Sequence, residues 1–427
     1  MSIPQKQLTI GLFGFGVVGE GLYQVLQQTA SLRATIKKVC IKHPEKKRNA
    51  PESLFTTDPA LLLNDPDINV VVELIDDAAA AWHIVSTALS SGKAVVSANK
   101  KLIATHLEAL LELQRLHGTP FLYESACCAS IPVIRNLEEY YDNDLLQGIQ
   151  GIVNGSTNYI LTRIAQDGLS FQQALQLAQE EGFAESDPSL DIEGIDAVNK
   201  LTILLTHAYG LVTRPDQLIY SGIHKLHAQD AVFAKEKQYD IKLVAQARKL
   251  KDGRIAAFVL PQFVKQESLL ADVRNEYNGV IIESGLADQQ FFYGKGAGGF
   301  PTASAVLSDL SALRYDYRYE YKKLHRETRA ELTDDFYLRV YVSFDGIAQV
   351  PHALFERIDE WSSNDRRCTI SGVLHFSRLR DDWWKRHNTS LILYPEAIVE
   401  KDSLVVKPAN AQLVDFLEKE PAADKYA

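Results

Sequence analysis

Near the start of the chain Leu8, Ile10 and Leu12 alternate with other residues up to a cluster of glycines. Beyond the cluster Val17, Val18, Leu22, Val25 and Leu26 recur at helical spacing, so the pattern predicts strand, turn, helix. The apolar runs Ile36–Ile41, Asn69–Ile75 (NVVVELI) and Ala94–Lys100 (AVVSANK) follow. Each is short enough for one strand and is separated from the next by a helical or loop stretch. Strands alternating with helices imply an α/β unit built on a parallel sheet.

Past residue 130 the pattern changes. Long amphipathic helices are predicted over Gly168–Glu181 and Ile192–Tyr209, mixed with strands such as Ile255–Val264, which together read as an α+β second domain. A glycine cluster at Gly294–Gly299 feeds another predicted helix, ASAVLSDLSAL. The basic segment Arg314–Arg329 reads as a linker, and from Phe336 the strand FYLRVYVSF opens a tail with its own apolar runs, including Ser390–Val399. Neither an internal repeat nor a low-complexity segment is present.

Composition narrows the function classes. A chain of 427 residues exceeds what one core usually supports, so roughly two or three domains are expected. With 46% hydrophobic and 23% charged residues it has the make-up of an ordinary globular protein. A net charge of -10 argues against nucleic acid or an anionic membrane as partner and favours a small molecule. No apolar run approaches the roughly 18 residues of a membrane span, and MSIPQKQLTIGLFG shows no signal-peptide cleavage site, so a cytoplasmic location is expected. Cys40, Cys127, Cys128 and Cys368 form no CxxC pair and are expected to be reduced thiols. Among the histidines only His224 and His227 lie close together, without the spacing of a transition-metal site.

The segment GLFGFGVVGEGL carries Gly14, Gly16 and Gly19 as GxGxxG, directly after a predicted strand and at the start of a predicted helix. That context makes it a dinucleotide turn of the Rossmann type: Gly14 allows the tight bend, Gly16 lets backbone approach a pyrophosphate and Gly19 lets helix and strand pack closely. The N–H groups from Gly14 through Phe15, Val17 and Val18 would face the phosphates. No Asp or Glu ends the second predicted strand, where it would hold both ribose hydroxyls of NAD. Lys42, His43, Lys46, Lys47 and Arg48 follow instead and could neutralise a 2′-phosphate, so NADP is the first reading and NAD stays open; the bland alternative is a solvated basic loop.

Asp196 and Lys200 stand four apart in a helical pattern and so share one face, with Glu185, Asp187 and Asp191 just before them. Carboxylates with one lysine suit an amino-acid substrate, the acids holding an ammonium while the lysine faces the reacting oxygen. A surface Asp–Lys helix pair would give the same spacing.

At VVSANKKLIA (Val95–Ala104) the chain resembles the homoserine dehydrogenase family, in which an Asn-Lys pair ends a strand beside the cofactor. NGSTNYIL (Asn154–Leu161), GFAESDPSLDIEGIDAVNKL (Gly182–Leu201) and GKGAGGFPTASAVLSDL (Gly294–Leu310) are similar to that family's other signatures, in the same order. The resemblance implies a nicotinamide-dependent oxidoreductase interconverting L-homoserine and L-aspartate 4-semialdehyde, and a homodimer. It implies Lys200 as general acid and base, with Lys100 and Asp196 completing the catalytic group. Substrate would be held by Glu185, Asp191 and Asp196, and cofactor also by Lys100, Gly182 and Gly298. A free lysine, at a pKa of about 10.4, is a poor base at neutral pH, and a second cation such as Lys100 would lower that value. The resemblance further implies a monovalent cation, such as sodium, on the carbonyls of Glu124, Cys127, Ala129 and Ile131.

The fold class expected on this footing is α/β: a Rossmann-type doubly wound parallel sheet over 1–130, completed by 299–315. An α+β substrate and dimerisation domain over 131–298 and an ACT-like α+β tail over 330–427 follow. Two local departures stand out. Asp76, Asp77 and Ala78 replace a Gly-Gly-Thr common after the strand VVVELI, and Cys127, Cys128, Ala129 and Ser130 replace a glycine-rich run. The stretch FYLRVYVSFDGIAQVPHALFERI is similar to the first strand and helix of an ACT domain, though its turn is reduced to Phe344, Asp345 and Gly346. It is expected to serve dimer packing rather than threonine feedback. Two rival readings remain, another Rossmann oxidoreductase of amino-acid metabolism and a dinucleotide-binding sensor without catalysis; turnover of homoserine separates them.

Overall fold

The computed structural model describes residues 6–143, 145–345, 352–363, 367–385 and 389–403. Six short strands, β1 (Leu8–Phe13), β2 (Ala34–Cys40), β3 (Phe55–Thr56), β4 (Val70–Glu73), β5 (Ala94–Ser97) and β6 (Phe121–Leu122), form the first sheet. All are parallel, in the order β3-β2-β1-β4-β5-β6. Every residue of β4 and β5 is buried, as continuous Val-rich strands covered on both faces must be. The chain order reverses between β1 and β4, which opens a crevice beyond their carboxyl ends where dinucleotides bind.

The helix Val17–Gln28 follows β1 directly, and the helix Gly299–Leu313 returns across it from far along the chain. The two meet closely: a Cβ at Gly21 would stand 3.1 Å from the carbonyl oxygen of Gly299.

The second sheet has ten strands. β7 (Leu146–Ile152), β8 (Ile219–Tyr220), β9 (Tyr239–Lys249), β10 (Ile255–Lys265), β11 (Tyr277–Ser284) and β12 (Asp288–Lys295) come from the middle of the chain. β13 (Tyr337–Phe344), β14 (Phe355–Ser363), β15 (Cys368–His375) and β16 (Ser390–Val399) come from the tail. The order is β12-β11-β7-β9-β10-β16-β13-β15-β14, with β8 beside β10. The helix Ile195–Tyr209 packs on β9 and β10 and is bounded by Gly194 and Gly210, both left-handed at φ 85° and 69°. Its residues from Asp196 to Tyr209 are all buried, so it is a central helix and not the amphipathic one its sequence suggests.

Two further expectations change. Arg314–Arg329 is not a loose linker: Tyr319 and Tyr321 are buried, and Lys323 donates to the carbonyls of Leu137 and His207, so the segment is a strap across the core. The expected ACT helix is also absent where the chain is described. Gly346 to Pro351 lie outside the described residues, His352–Leu354 is a single 3-10 turn, and Phe355 already begins a strand. The tail shares a core with the middle of the chain, Phe258 and Leu260 of β10 packing with Phe336, Leu338 and Leu393. None of the helices among the described residues is long and apolar enough to cross a membrane.

Candidate active site

Gly14 takes φ 93°, and a Cβ there would stand 2.6 Å from the carbonyl oxygen of Leu74, so only glycine permits β1 to turn beneath β4. A Cβ on Gly19 would meet the carbonyl of Gly14 at 2.4 Å, which explains the third glycine as a packing requirement. Gly16 has nothing within 4 Å of such a Cβ and caps the helix Val17–Gln28 without a side-chain bond. The open glycine and the free amides of the first turn fit a phosphate-bearing ligand. Val18 faces the cleft, whereas Phe15 turns inward onto Tyr23 and Phe55.

The strand ends beside this turn are held by buried polar groups. Glu73, fully buried at the end of β4, accepts from the Ile75 amide at 2.8 Å and the Ser97 hydroxyl at 2.5 Å. Ser97 in turn accepts from the Asn99 amide, and the Asn99 side chain donates to the Ile75 carbonyl while capping the next helix through the Leu102 amide. That helix, Lys100–His117, is bent at His106 and begins with Lys100, whose side chain is thereby aimed at the cleft. Burial pushes the Glu73 carboxyl up to about 7.

Opposite stands the first turn of the helix Ile195–Tyr209. Asp196 receives Lys100 Nζ at 2.7 Å on Oδ1 and Lys200 Nζ at 2.7 Å on Oδ2. Lys200 Nζ also donates to the Val153 carbonyl at 2.6 Å, and Asn154 Nδ2 donates to Asp196 at 2.9 Å and to Asp191 at 2.6 Å. Burial works against the charge on Asp196, but the two ammonium groups overcome it and hold its carboxyl well below the usual carboxylate range. For Lys200 burial alone would lower the pKa; Asp196 reverses this and raises it. The expected lowering of Lys200 by Lys100 therefore does not occur, because a shared carboxylate lies between the two cations.

A cleft of about 620 Å³ joins these parts, lined by Val18, Asp76, Lys100, Gly182, Glu185, Asp191, Asp196, Lys200 and Gly298 together with Asn154, Glu276 and Lys295. Lys42 lies exposed beyond β2 and does not line it. A larger hollow of about 980 Å³ on the helix Lys100–His117 gathers none of the other candidate residues.

Residues 132–311 match the family model described as homoserine dehydrogenase, and residues 14–124 match its NAD-binding domain. The homoserine dehydrogenase of Bacillus subtilis is 35% identical over 323 residues, 73% of this chain and 74% of its own. That of Helicobacter pylori is 34% identical over 353 residues, 79% and 83% of the two chains. The chain belongs to the homoserine dehydrogenase family. Among solved structures, a homoserine dehydrogenase from Thiobacillus denitrificans superposes with a TM-score of 0.79 at 27% identity, covering 91% of this chain and 98% of that one. A hyperthermophilic archaeal homoserine dehydrogenase in complex with NADPH gives 0.63 at 25% identity, over 74% and 99%. The activity is thus that of a homoserine dehydrogenase, an oxidoreductase acting on a CH–OH group with a nicotinamide dinucleotide.

Within that family the departures noted above acquire a structural meaning. Cys128 and Ala129 take φ 57° and 37°, a left-handed turn that glycine adopts without strain. Their side chains are nonetheless buried and lie outside the cleft lining. Burial pushes the Cys128 thiol up to about 11, which keeps it protonated. Asp77 caps the helix Ala78–Ser90 through the amides of Ala79 and Ala80, while Asp76 stays at the cleft edge. Of the proposed cation carbonyls, that of Glu124 accepts from the Cys127 amide at 3.3 Å and that of Ile131 from the Val133 amide at 2.8 Å. Each keeps a second lone pair, so the turn still fits an oxygen-bound cation. Sequence reasoning assigned no role to Asn154, Glu73, Glu276 or Lys295; Asn154 and Lys295 lay inside quoted motifs and Glu73 inside a quoted strand, whereas Glu276 is joined to the site only by tertiary packing.

Proposed function

We propose that Lys200 is the proton donor and acceptor of this homoserine dehydrogenase, with Lys100 and Asp196 fixing its ammonium group in the cleft. The nicotinamide, when bound, supplies the hydride acceptor or donor. In the direction of homoserine, Lys200 Nζ gives a proton to the aldehyde oxygen of L-aspartate 4-semialdehyde; in reverse it takes the proton from the hydroxyl of L-homoserine. The raised Lys200 pKa supports a resting enzyme charged for the first of these steps. Asp196 is occupied by the two lysines, which leaves Glu185 and Asp191 as the acids for the substrate ammonium. The observation that carries this reading is the pair of lysines on one buried carboxylate, inside the cleft that opens beside the glycine turn.

The remaining assignments follow from the same parts. NADP is the preferred cofactor, because no acid ends β2 and Lys42 stands two residues beyond it; Gly14, Gly16, Gly19, Gly182 and Gly298 give it room, and NAD is the second choice. A monovalent cation sits on the turn 124–131. Residues 1–130 with 299–315 form the cofactor domain and 131–298 the substrate domain, and two copies associate through the latter. The reaction belongs to cytoplasmic biosynthesis of threonine, methionine and isoleucine. Purified protein mixed with L-homoserine and either NADP or NAD at alkaline pH tests the reading: reduced cofactor accumulates faster with NADP, and no turnover with either cofactor contradicts it.

A further inference from the structure

An amino acid presents a carboxylate as well as an ammonium group, and nothing so far described receives the carboxylate. Among the described residues that line the cleft the cations are Lys100, Lys200 and Lys295. The first two are both spent on Asp196, at 2.7 Å each. Lys295 is held differently. Its Nζ stands 3.3 Å from Glu276 Oε1, with side chains 49% and 24% exposed, a wet and loosely held pair whose partner is easily exchanged. Its backbone, by contrast, is fixed: the Lys295 carbonyl accepts from both the amide and the hydroxyl of Ser130, and its ammonium lies over the Tyr277 ring.

Position favours the substrate over the cofactor. A Cβ on Gly155 would stand 2.6 Å from the Glu276 carbonyl, so Glu276 is packed against the first residue of the helix that Asn154 caps. Asn154 is the residue that donates to Asp191 and Asp196. The phosphates, on the other side, already have the amides after Gly16.

We propose that Lys295 receives the α-carboxylate of the amino-acid substrate, leaving Glu276 as it does so, and that this exchange makes the site selective for an amino acid over an amino alcohol. The inference rests on the cleft being the active site. No bond is made or broken in it; an ion pair with protein is replaced by one with ligand.

The test is steady-state kinetics of Lys295→Ala and Lys295→Arg with L-homoserine and cofactor varied in turn, with inhibition by L-2-aminobutyrate and by propan-1-amine, its counterpart without the carboxylate. The alanine variant raises KM for homoserine about 10- to 100-fold, the worth of one charge-assisted hydrogen bond, with kcat and the cofactor KM little changed. Its inhibition by aminobutyrate weakens to match that by propan-1-amine, and arginine restores both. An unchanged homoserine KM overturns the proposal, as does a rise confined to the cofactor KM. Lys200→Ala run in parallel separates the two levels: if it keeps near-normal turnover, the reading of the cleft itself is lost, whatever Lys295 does.

Discussion

Lys200 and Asp196 sit one helical turn apart and meet at 2.7 Å inside the protein, with both side chains almost completely buried. On a surface helix such a pair is worth about 0.5 kcal/mol or less. Here the same spacing fixes the charge state of the proposed proton donor, because without Asp196 the Lys200 ammonium is buried with no carboxylate beside it, whereas Asp196 without Lys200 still has Lys100.

The first prediction follows from that coupling. Asp196 raises the Lys200 pKa against the effect of burial, so homoserine oxidation, which needs neutral Lys200, climbs with pH through the alkaline range. In Asp196→Asn the main opposition to burial is gone and the lysine pKa falls, so the alkaline rise moves to lower pH, together with a lower kcat. A pH–rate profile of the two proteins checks this; a rise at unchanged pH would show that another group governs it.

Glycines of one motif are predicted to separate in effect. Gly14→Ala forces a Cβ to 2.6 Å from the Leu74 carbonyl at a φ of 93°, and so destabilises the first domain by more than about 1 kcal/mol. Gly16→Ala meets no protein atom within 4 Å and leaves the melting temperature unchanged, while its methyl enters the phosphate site and raises the cofactor KM. Thermal melts with cofactor titration distinguish them, and equal loss of stability in both contradicts the assignment.

Glu73 links stability to pH. Its folded carboxyl is pushed up to about 7 from 4.5, so the folded state holds a proton the unfolded chain has released. Stability from this group is complete below 4.5 and is lost as pH rises through 7, on the order of 3 kcal/mol in all. The stability of wild type minus that of Glu73→Gln therefore falls between about pH 5 and pH 8. Denaturant melts of both proteins at the two pH values measure it, and a difference that rises with pH has the wrong sign for this account.

These groups differ in how far the sequence revealed them. The glycine turn was legible because its demands are local: three backbone positions, each with a steric or φ requirement written in consecutive residues. Lys200 and Asp196 showed the shared face but not the burial, since polar positions at helical spacing read as a solvent-facing stripe even where packing encloses the helix on every side. Glu276 and Lys295 were not assigned as site residues, because long-range packing brings them to the cleft, and Glu73, buried behind it, showed only as part of a strand. The strap was misjudged on charge. Tyr315, Tyr317, Tyr319 and Tyr321 alternate with charged residues, and that alternation, rather than the run of arginines, was the informative pattern. In the tail, Phe355 to Ser363 carries Glu, Arg and Asp among its apolar residues and resembles an exposed helix, yet it pairs with β15 as an edge strand. Edge pairing tolerates such charges, so periodicity alone could not separate the two.

The direct test of Lys200 as the proton-transfer group is Lys200→Ala, assayed for homoserine oxidation alongside fluorescence titration of NADPH binding. The account predicts turnover reduced by about 10²- to 10⁴-fold with the cofactor dissociation constant nearly unchanged. Turnover within a few-fold of wild type would contradict it.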